Sequence, residues 1–355
     1  MNPDARTTPA AQTAGKPRSA DDTPRGPVLV AGGAGYIGSH TVRLLLERGV
    51  DTIVLDNLST GHRGALERLD AAFEQVDLGD PKALADVFAR RRPSAVIHFA
   101  AKCYVGESVE QPAKYYRENV AYTLELLDAM RAAECRDIVF SSTCATYGEP
   151  QRVPITEDHP QAPINPYGRT KLHMEHMIGD YAHAYGLRYA ALRYFNAAGA
   201  SPAGDLGEDH QPETHLIPLV LQVALGQRES IRVFGDNYPT HDGTCIRDYI
   251  HVNDLGDAHL RALAALQGGE PSVVCNLGTG NGYSVLDLIE AARRITGHAI
   301  PHVMGERRAG DPARLISGGS AARDLLGWQP RRAELEVILE DAWRFHRKHP
   351  KGYRE

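Results

Sequence analysis

Short apolar runs recur along the first half of the chain, and each is followed by a stretch with helical spacing. The first run is Val28-Leu29-Val30-Ala31. A glycine cluster follows it, and residues 39–46 (SHTVRLLL) then place their apolar side chains at helical intervals. Further strand-like runs stand at 52–56, 94–99, 137–141 and 189–193, with helical patterns such as 116–131 and 166–185 among them. A strand buried on both faces reads as an unbroken apolar run. Strands alternating with helices therefore predict a parallel sheet covered on both sides. Beyond about residue 196 the alternation loosens and glycine and proline become frequent. That predicts a smaller lobe completing a cleft. The expected organisation is a disordered tail over 1–26, a main domain over 27–196 and a substrate lobe over 197–355. Strand-like segments at 245–252 and 273–277 are candidates to return to the main sheet or its edge.

Charge and cysteine usage narrow the classes. The formal net charge is −6 and no basic stripe occurs, which argues against nucleic acid as a partner. No stretch approaches the ~18 apolar residues that a membrane span requires. Five dispersed cysteines without a C-x-x-C pair read as reduced thiols of a cytoplasmic protein rather than a disulfide frame. The first 26 residues have no apolar h-region, and Asp4, Asp21 and Asp22 argue against an organelle transit peptide.

The chemistry begins at Gly33-Ala34-Gly35-Tyr36-Ile37-Gly38, a G-x-G-x-x-G match that follows a strand and opens a helix. Gly32, Gly35 and Gly38 also fit G-x-x-G-x-x-G. Glycine permits the tight turn and lets a pyrophosphate approach the helix N-terminus. Asp56 ends the next strand; its carboxylate accepts from ribose hydroxyls and repels a 2′-phosphate, which favours NAD over NADP. The expected fold is thus a Rossmann-type doubly wound parallel α/β sheet with a smaller C-terminal lobe. Tyr167 and Lys171 stand four apart, just after Pro166, so they share one helical face. Such a pair also describes an exposed helical face, but downstream of a dinucleotide loop it reads as proton-transfer machinery. Lowering a tyrosine from ~10 to ~7 needs ~4 kcal/mol. The neighbouring ammonium and a positive nicotinamide are the expected sources.

The ordered motifs together resemble the nucleotide-sugar branch of the extended short-chain dehydrogenase/reductase family, in particular its UDP-sugar 4-epimerases. They are GGAGYIGSH (32–40), LDNLSTGH (55–62), VIHFAA (96–101), VGES (105–108) and FSSTCATYGEP (140–150), then PINPYGRTK (163–171), LRYFNAAGA (192–200), GTCIRDYIHV (243–252) and RRAGDP (307–312). The resemblance spans residues 27–353 and implies reversible C4 epimerisation of UDP-glucose and UDP-galactose through a 4-keto sugar, with a homodimer as the assembly. It implies that Gly32, Gly35, Tyr36, Ile37 and Gly38 form the pyrophosphate turn, Asp56 and Asn57 hold the adenosine ribose, and Asp77 and Leu78 flank the adenine. Phe99, Ala100, Asn119 and Tyr194 complete the cofactor site. Thr143 would bond the reacting hydroxyl, Tyr167 is the acid/base, and Lys171 bonds the nicotinamide ribose. Asn196, Arg247 and Arg308 would hold the diphosphate and Asp311 the uridine ribose, with Leu216, Phe234 and Tyr249 lining that end. Leu315, four residues after Asp311, falls where the family lines its sugar pocket.

Several positions depart from the family pattern. Cys103 stands where some members carry a cofactor-contacting lysine, and Lys102 would point elsewhere. Glu118 replaces an asparagine, which leaves Asn119 aligned. His215 replaces another asparagine, and reads either as a phosphate donor or as a surface histidine. His173, His176 and His183 read as a solvated face without metal, Cys144 as a packed thiol, and Glu157-Asp158 as solvated charge. A UDP-xylose/UDP-arabinose 4-epimerase is the nearest rival. A 4,6-dehydratase would carry an Asp-Glu pair after the Ser/Thr motif, whereas Cys144-Ala145-Thr146 has no acid. A binding module that senses NAD without chemistry would not need Tyr167 and Lys171.

Overall fold

The computed structural model describes residues 23–308 and 311–354. Most of the tail expected over 1–26 lies outside the described residues. Its last part, 23–26, belongs to the folded body: the Arg25 carbonyl accepts from Gln267 Nε2 at 2.7 Å and from Ser94 Oγ at 3.1 Å.

Seven strands form the main sheet, all parallel. They are β1 (Val28–Ala31), β2 (Thr52–Leu55), β3 (Ala72–Glu74), β4 (Ala95–His98), β5 (Asp137–Thr143), β6 (Arg188–Tyr194) and, from far along the chain, Val273–Leu277. The order runs from Val273–Leu277 through β6, β5, β4, β1 and β2 to β3. Alternate residues divide cleanly between two cores. Val28, Val30, Ala95, Ile97, Val139 and Leu192 pack beneath helices Tyr36–Glu47 and Val252–Gln267. Leu29, Ala31, Val96, Ile138, Phe140 and Ala191 pack beneath helices Pro81–Arg91, Tyr122–Ala132 and Pro166–Tyr185. This two-sided burial is why the strands read as unbroken apolar runs, and it is the doubly wound Rossmann-type sheet expected. The order reverses between β1 and β4, and a ligand crevice opens at the carboxyl ends of strands at such a point.

The remaining strands are short: β7 (Asn196–Ala198), β8 (Ile231–Phe234), β9 (Ile246–Arg247), β10 (Tyr249–His251), β11 (the main-sheet segment Val273–Leu277), β12 (Tyr283–Ser284), β13 (His302–Gly305) and β14 (Arg314–Leu315). They make three small sheets, β10–β7, β12–β9–β14 and β13–β8. Helices Leu216–Ala224, Val285–Thr296 and Leu335–Lys348 share a third core. The segment read as one strand at 245–252 is thus two strands in different sheets. Asp248 sits at the break, buried, and its carboxylate accepts from Thr279 N (2.9 Å), Gly280 N (3.0 Å) and Ser317 N (3.1 Å). Three backbone donors around one carboxylate fix the break. The helix expected over 116–131 also differs: its first part, Tyr116–Ala121, winds as a π-helix before α-helix Tyr122–Ala132. Single π turns inside helices often mark functional sites.

Among the described residues no helix is long and apolar enough to cross a membrane. His40, His98 and His259 are buried in the main domain, and burial lowers their pKa values to about 4, about 3 and about 4. Each has one ring nitrogen sealed without a partner, which suits only the neutral form. The unfolded chain protonates these groups near 6.5, so stability falls as pH drops below about 6.5 and continues falling to about 3–4. Each histidine costs about 3 kcal/mol by pH 4. Urea unfolding should show a clearly lower midpoint at pH 4 than at pH 7; equal midpoints would contradict the assignment.

Candidate active site

The glycine turn is built for close approach. Gly32 adopts a positive φ of 81°, and a Cβ there would stand 2.6 Å from Ala100 N, in the turn after β4. A Cβ on Gly38 would meet Gly32 O at 2.1 Å. Helix Tyr36–Glu47 begins at Gly35 with no side-chain cap. Its first N–H groups therefore face the crevice, as an anion site requires. Asp56 is buried, and it accepts from Ala34 N at 3.0 Å and Leu58 N at 2.8 Å. One carboxylate thus ties the glycine turn to the end of β2. Beside it, Asn57 Nδ2 donates to Asp77 Oδ2 at 2.6 Å, and Asp77 Oδ1 accepts from Gly79 N at 2.7 Å. This cradle fits a dinucleotide: a tight glycine turn leads into a helix N-terminus without a side-chain cap, beside a rim of carboxylates and an amide.

A second group gathers at the ends of β5 and β6. Asn165 caps helix Pro166–Tyr185 by accepting from Gly168 N at 2.8 Å, and Pro166 occupies the first turn. A Cβ on Gly168 would stand 2.5 Å from Ala145 O, so only glycine lets this helix press on the turn after β5. That contact brings Tyr167 beside Thr143. Lys171 Nζ donates to Ser141 O at 2.8 Å and lies 4.9 Å from the Phe140 ring. Tyr194 shares a 2.7 Å hydrogen bond with Ser141 Oγ.

Burial sets the electrostatics of these two groups. Burial raises the Tyr167 pKa well above 10, and only the Thr143 hydroxyl opposes it. Burial likewise lowers the Lys171 ammonium to about 8. Among the protein's own groups, burial thus favours the neutral phenol. A Lys171 proton is directed at the Ser141 carbonyl, and desolvation in this dry pocket outweighs the lysine's attraction.

Behind these groups is a buried network that the sequence reading missed. Glu175 lies one turn beyond Lys171 and accepts from Arg193 Nη2 at 2.6 Å and Nε at 2.9 Å, and also from Ser142 Oγ. Arg193 Nη1 donates to Tyr147 Oη at 3.0 Å, and Tyr147 Oη donates to Asn276 Oδ1 at 2.7 Å. Asn276 N in turn donates to Glu157 Oε1 at 2.9 Å, so Glu157 is not the solvated charge expected, while Asp158 is exposed.

The chain belongs to the NAD dependent epimerase/dehydratase family. The model of that family matches residues 28–278. A UDP-glucose 4-epimerase of Halalkalibacterium halodurans is 54% identical over 326 residues, 92% of this chain and 97% of the relative. The crystal structure of UDP-glucose 4-epimerase from Brucella ovis in complex with NAD matches with a TM-score of 0.87 at 51% identity, covering 90% of this chain and 98% of that one. The Bifidobacterium longum UDP-glucose 4-epimerase in complex with NAD+ and UDP matches with a TM-score of 0.87 at 38% identity, covering 92% and 99%.

The other family positions fall as follows. Ile37 and Phe99 pack against the core beneath helix Tyr36–Glu47, Leu78 is in the opposite core, and Tyr36 Oη donates to Gly199 O at 2.7 Å. Asn119 is fully buried; its amide accepts from Lys102 N at 2.7 Å and donates to Lys102 O and to Thr170 Oγ1. It shapes the turn at Lys102, with no donor to spare. Lys102 Nζ bonds Ser59 Oγ at 3.1 Å and pairs with Glu118 at 3.5 Å, while Cys103 is exposed. At the far end of the crevice Asn196 pairs with Tyr249 across β7 and β10. Arg247, buried, forms an ion pair with Asp311. The Arg308 guanidinium stacks 4.0 Å above the Phe234 ring. Leu315 pairs with Arg247 across β14 and β9 and packs on Cys144, Tyr147, Ile155 and Phe195. Cys144 is buried with its thiol pushed up to about 12 by desolvation, which is a packed thiol and not a nucleophile. All five cysteines are free.

His215 is partly exposed, and its Nδ1 lies 3.0 Å from both Glu208 Oε1 and Glu213 Oε1. His173, His176 and His183 are all exposed, as a solvated face requires.

Breaking the buried ion pair tests the scaffold. Glu175→Gln leaves Arg193 as an uncompensated buried charge, which costs about 3–5 kcal/mol. Urea denaturation should register that loss; a change under about 1 kcal/mol would mean water already screens the pair.

Proposed function

We propose that the chain interconverts UDP-glucose and UDP-galactose by reversible C4 epimerisation, with NAD as a resident cofactor. The observation that carries this reading is the placement of Tyr167, beside Thr143 and one helical turn from Lys171, at the strand ends next to the glycine cradle. In this reading Gly32, Gly35 and Gly38 admit the pyrophosphate, Asp56 and Asn57 take the adenosine ribose, and Lys171 the nicotinamide ribose. Bound NAD supplies a hydride acceptor that is regenerated in every turnover, together with a positive ring. That charge is what the protein's own groups lack, because they alone leave Tyr167 protonated. Once ionised, Tyr167 takes the proton from the C4 hydroxyl, which Thr143 positions, and later returns it.

The UDP end of the site supports the same chemistry. Arg247, Arg308 and Asp311 are the ionic groups we assign to the nucleotide, with Asn196, Leu216, Phe234 and Tyr249 around them. The sugar end is lined by Leu315, Cys144 and Phe195, which offer no charge. Strong anchoring of the diphosphate with weak contact to the sugar lets the 4-keto sugar turn over between the two hydride transfers. We further assign residues 27–196 with helix Val252–Gln267 and β11 to the cofactor lobe, and most of the rest of 197–355 to the substrate lobe. Free thiols suit a reducing cytoplasm. Exposed Val105, Val109, Tyr116 and Leu124 on consecutive helices suit a homodimer face.

Tyr167→Phe removes the proton acceptor and little volume. It should keep UDP-sugar binding and lose ~10²–10⁴-fold in turnover. Product separation from UDP-galactose checks this, and a variant within tenfold of the parent sinks the assignment. The same assay tests the sugar wall. Against Leu315 an acetamido group clashes or leaves polar atoms unpaired, at ~1–3 kcal/mol. UDP-glucose should therefore exceed UDP-N-acetylglucosamine by ~10- to 100-fold in kcat/KM. Leu315→Ser should narrow that ratio, and an unchanged ratio would clear Leu315 of the role.

A further inference from the structure

Four side chains between β7 and helix Leu216–Ala224 converge on one point. They are Glu208, His210, Glu213 and His215, and one ligand atom from each lies within 4.8 Å of all the others. Glu208 and Glu213 are buried at their carboxylates, where only 6% and 5% of the side chain remains exposed. His210 Nδ1 lies 3.3 Å from Glu208 Oε1 and 3.6 Å from Glu213 Oε2. It is sealed from solvent, and its contacts with the two carboxylates are ion pairs that are poorly aligned as hydrogen bonds. An imidazole nitrogen this close to two carboxylates, yet not aligned on either, is oriented toward a shared centre.

We propose that this cluster is a binding site for a divalent transition metal of the zinc class. Metal–nitrogen and metal–oxygen bonds of about 2.0–2.2 Å in a tetrahedron place neighbouring ligand atoms about 3.3 Å apart. His215 Nδ1 and His210 Nδ1 stand 3.0 and 3.3 Å from the same Glu208 oxygen, close to that value, and Glu213 offers one oxygen to each ring, at 3.0 and 3.6 Å. Two imidazoles and two carboxylates are also the donor set that zinc and its neighbours prefer over magnesium or calcium. Two carboxylates balance one divalent cation, so the filled cluster carries no net charge.

The surroundings suit a held ion. Glu213 Oε1 also accepts from Thr214 N at 2.7 Å and His215 N at 2.8 Å, which fixes that carboxylate's direction, as an outer shell should. Tyr36, Tyr104, His346 and Tyr353 are the titratable neighbours, and burial keeps both Tyr36 and Tyr104 protonated. The His215 side chain is 40% exposed and leaves an entry path. An ion here would pin the segment that leads into helix Leu216–Ala224. The other cluster of this type, His241 with Asp242 and Asp287, is less suited, because it is more exposed and offers three ligands instead of four.

The test does not depend on the enzymatic reading. Purified full-length protein is stripped with a chelator, dialysed, titrated with zinc chloride, and its bound metal counted by atomic emission. One zinc per chain is expected, together with a rise in thermal midpoint. His210→Ala and Glu208→Gln should each lose binding by at least tenfold, whereas His173→Ala, on the exposed helix face, should retain it. Cobalt(II) gives a second readout, since a tetrahedral site produces intense visible absorption. No stoichiometric uptake, or uptake that survives both His210→Ala and Glu208→Gln, would overturn the proposal.

Discussion

The ion pair between Glu175 and Arg193 is the constraint on which the site depends. Helix Pro166–Tyr185 carries Tyr167 and Lys171 on the face that meets the sheet, and Glu175 is the next residue on that face. Its carboxylate oxygens accept from Arg193 of β6, Ser142 of β5 and Gln161 of the following loop. Each bond acts across a different element, so the helix can neither slide nor rotate without stranding a charge in the core. An isolated buried pair gains little over apolar packing. Here every lone pair is used, and what the pair supplies is position. Tyr147 and Asn276 extend the same chain to β11, which arrives in the sheet from eighty residues further on.

That fixed frame explains the electrostatic state of the two residues in front of it. Tyr167 and Lys171 lie in space dry enough that burial moves both toward their neutral forms, the tyrosine up and the lysine down. A pocket of this kind is indifferent until a positive group enters it. The balance then tips toward tyrosinate, because a charge buried beside an opposite charge is no longer penalised. The proposed coupling is therefore between cofactor occupancy and proton-transfer competence, and it needs no moving part.

The main domain was legible because two-sided burial writes itself as apolar runs, and because the glycine turn and Tyr167–Lys171 are local patterns. Asp56 was legible from its place at the end of the strand after the glycine loop, whereas Thr143 and the nucleotide-end arginines were reached through ordered motifs, not through periodicity. What escaped had no local signature. The Glu175–Arg193 pair joins residues eighteen apart on different elements, and nothing in a window around either shows that both are buried. The break at Asp248 depends on donors at 279, 280 and 317. The π-helix over Tyr116–Ala121 looks like ordinary helix in apolar spacing, since one inserted residue shifts the face only past the insertion. The E-D-H-x-x-E-x-H run from Glu208 to His215 was a possible signal, but its spacing is not helical and only the turn geometry brings the four heads together.

The placement of that run connects the two halves of the molecule. Tyr36 opens the helix of the glycine turn, its hydroxyl is bonded to Gly199 at the end of β7, and its ring lies 6.4 Å from that of His210. Tyr104, from the turn that Asn119 shapes, stands 6.0 Å from His210 and 6.3 Å from His215. Leu216 and the helix it begins follow directly. The glycine turn, the turn after β4 and the start of helix Leu216–Ala224 therefore meet at one buried polar cluster. Apolar packing tolerates small shifts between such parts, whereas paired charges in a dry setting do not. A hydride transfer is sensitive to small errors in donor–acceptor placement. Charge at this junction is therefore a physical means of holding the start of helix Leu216–Ala224 in register with the glycine turn.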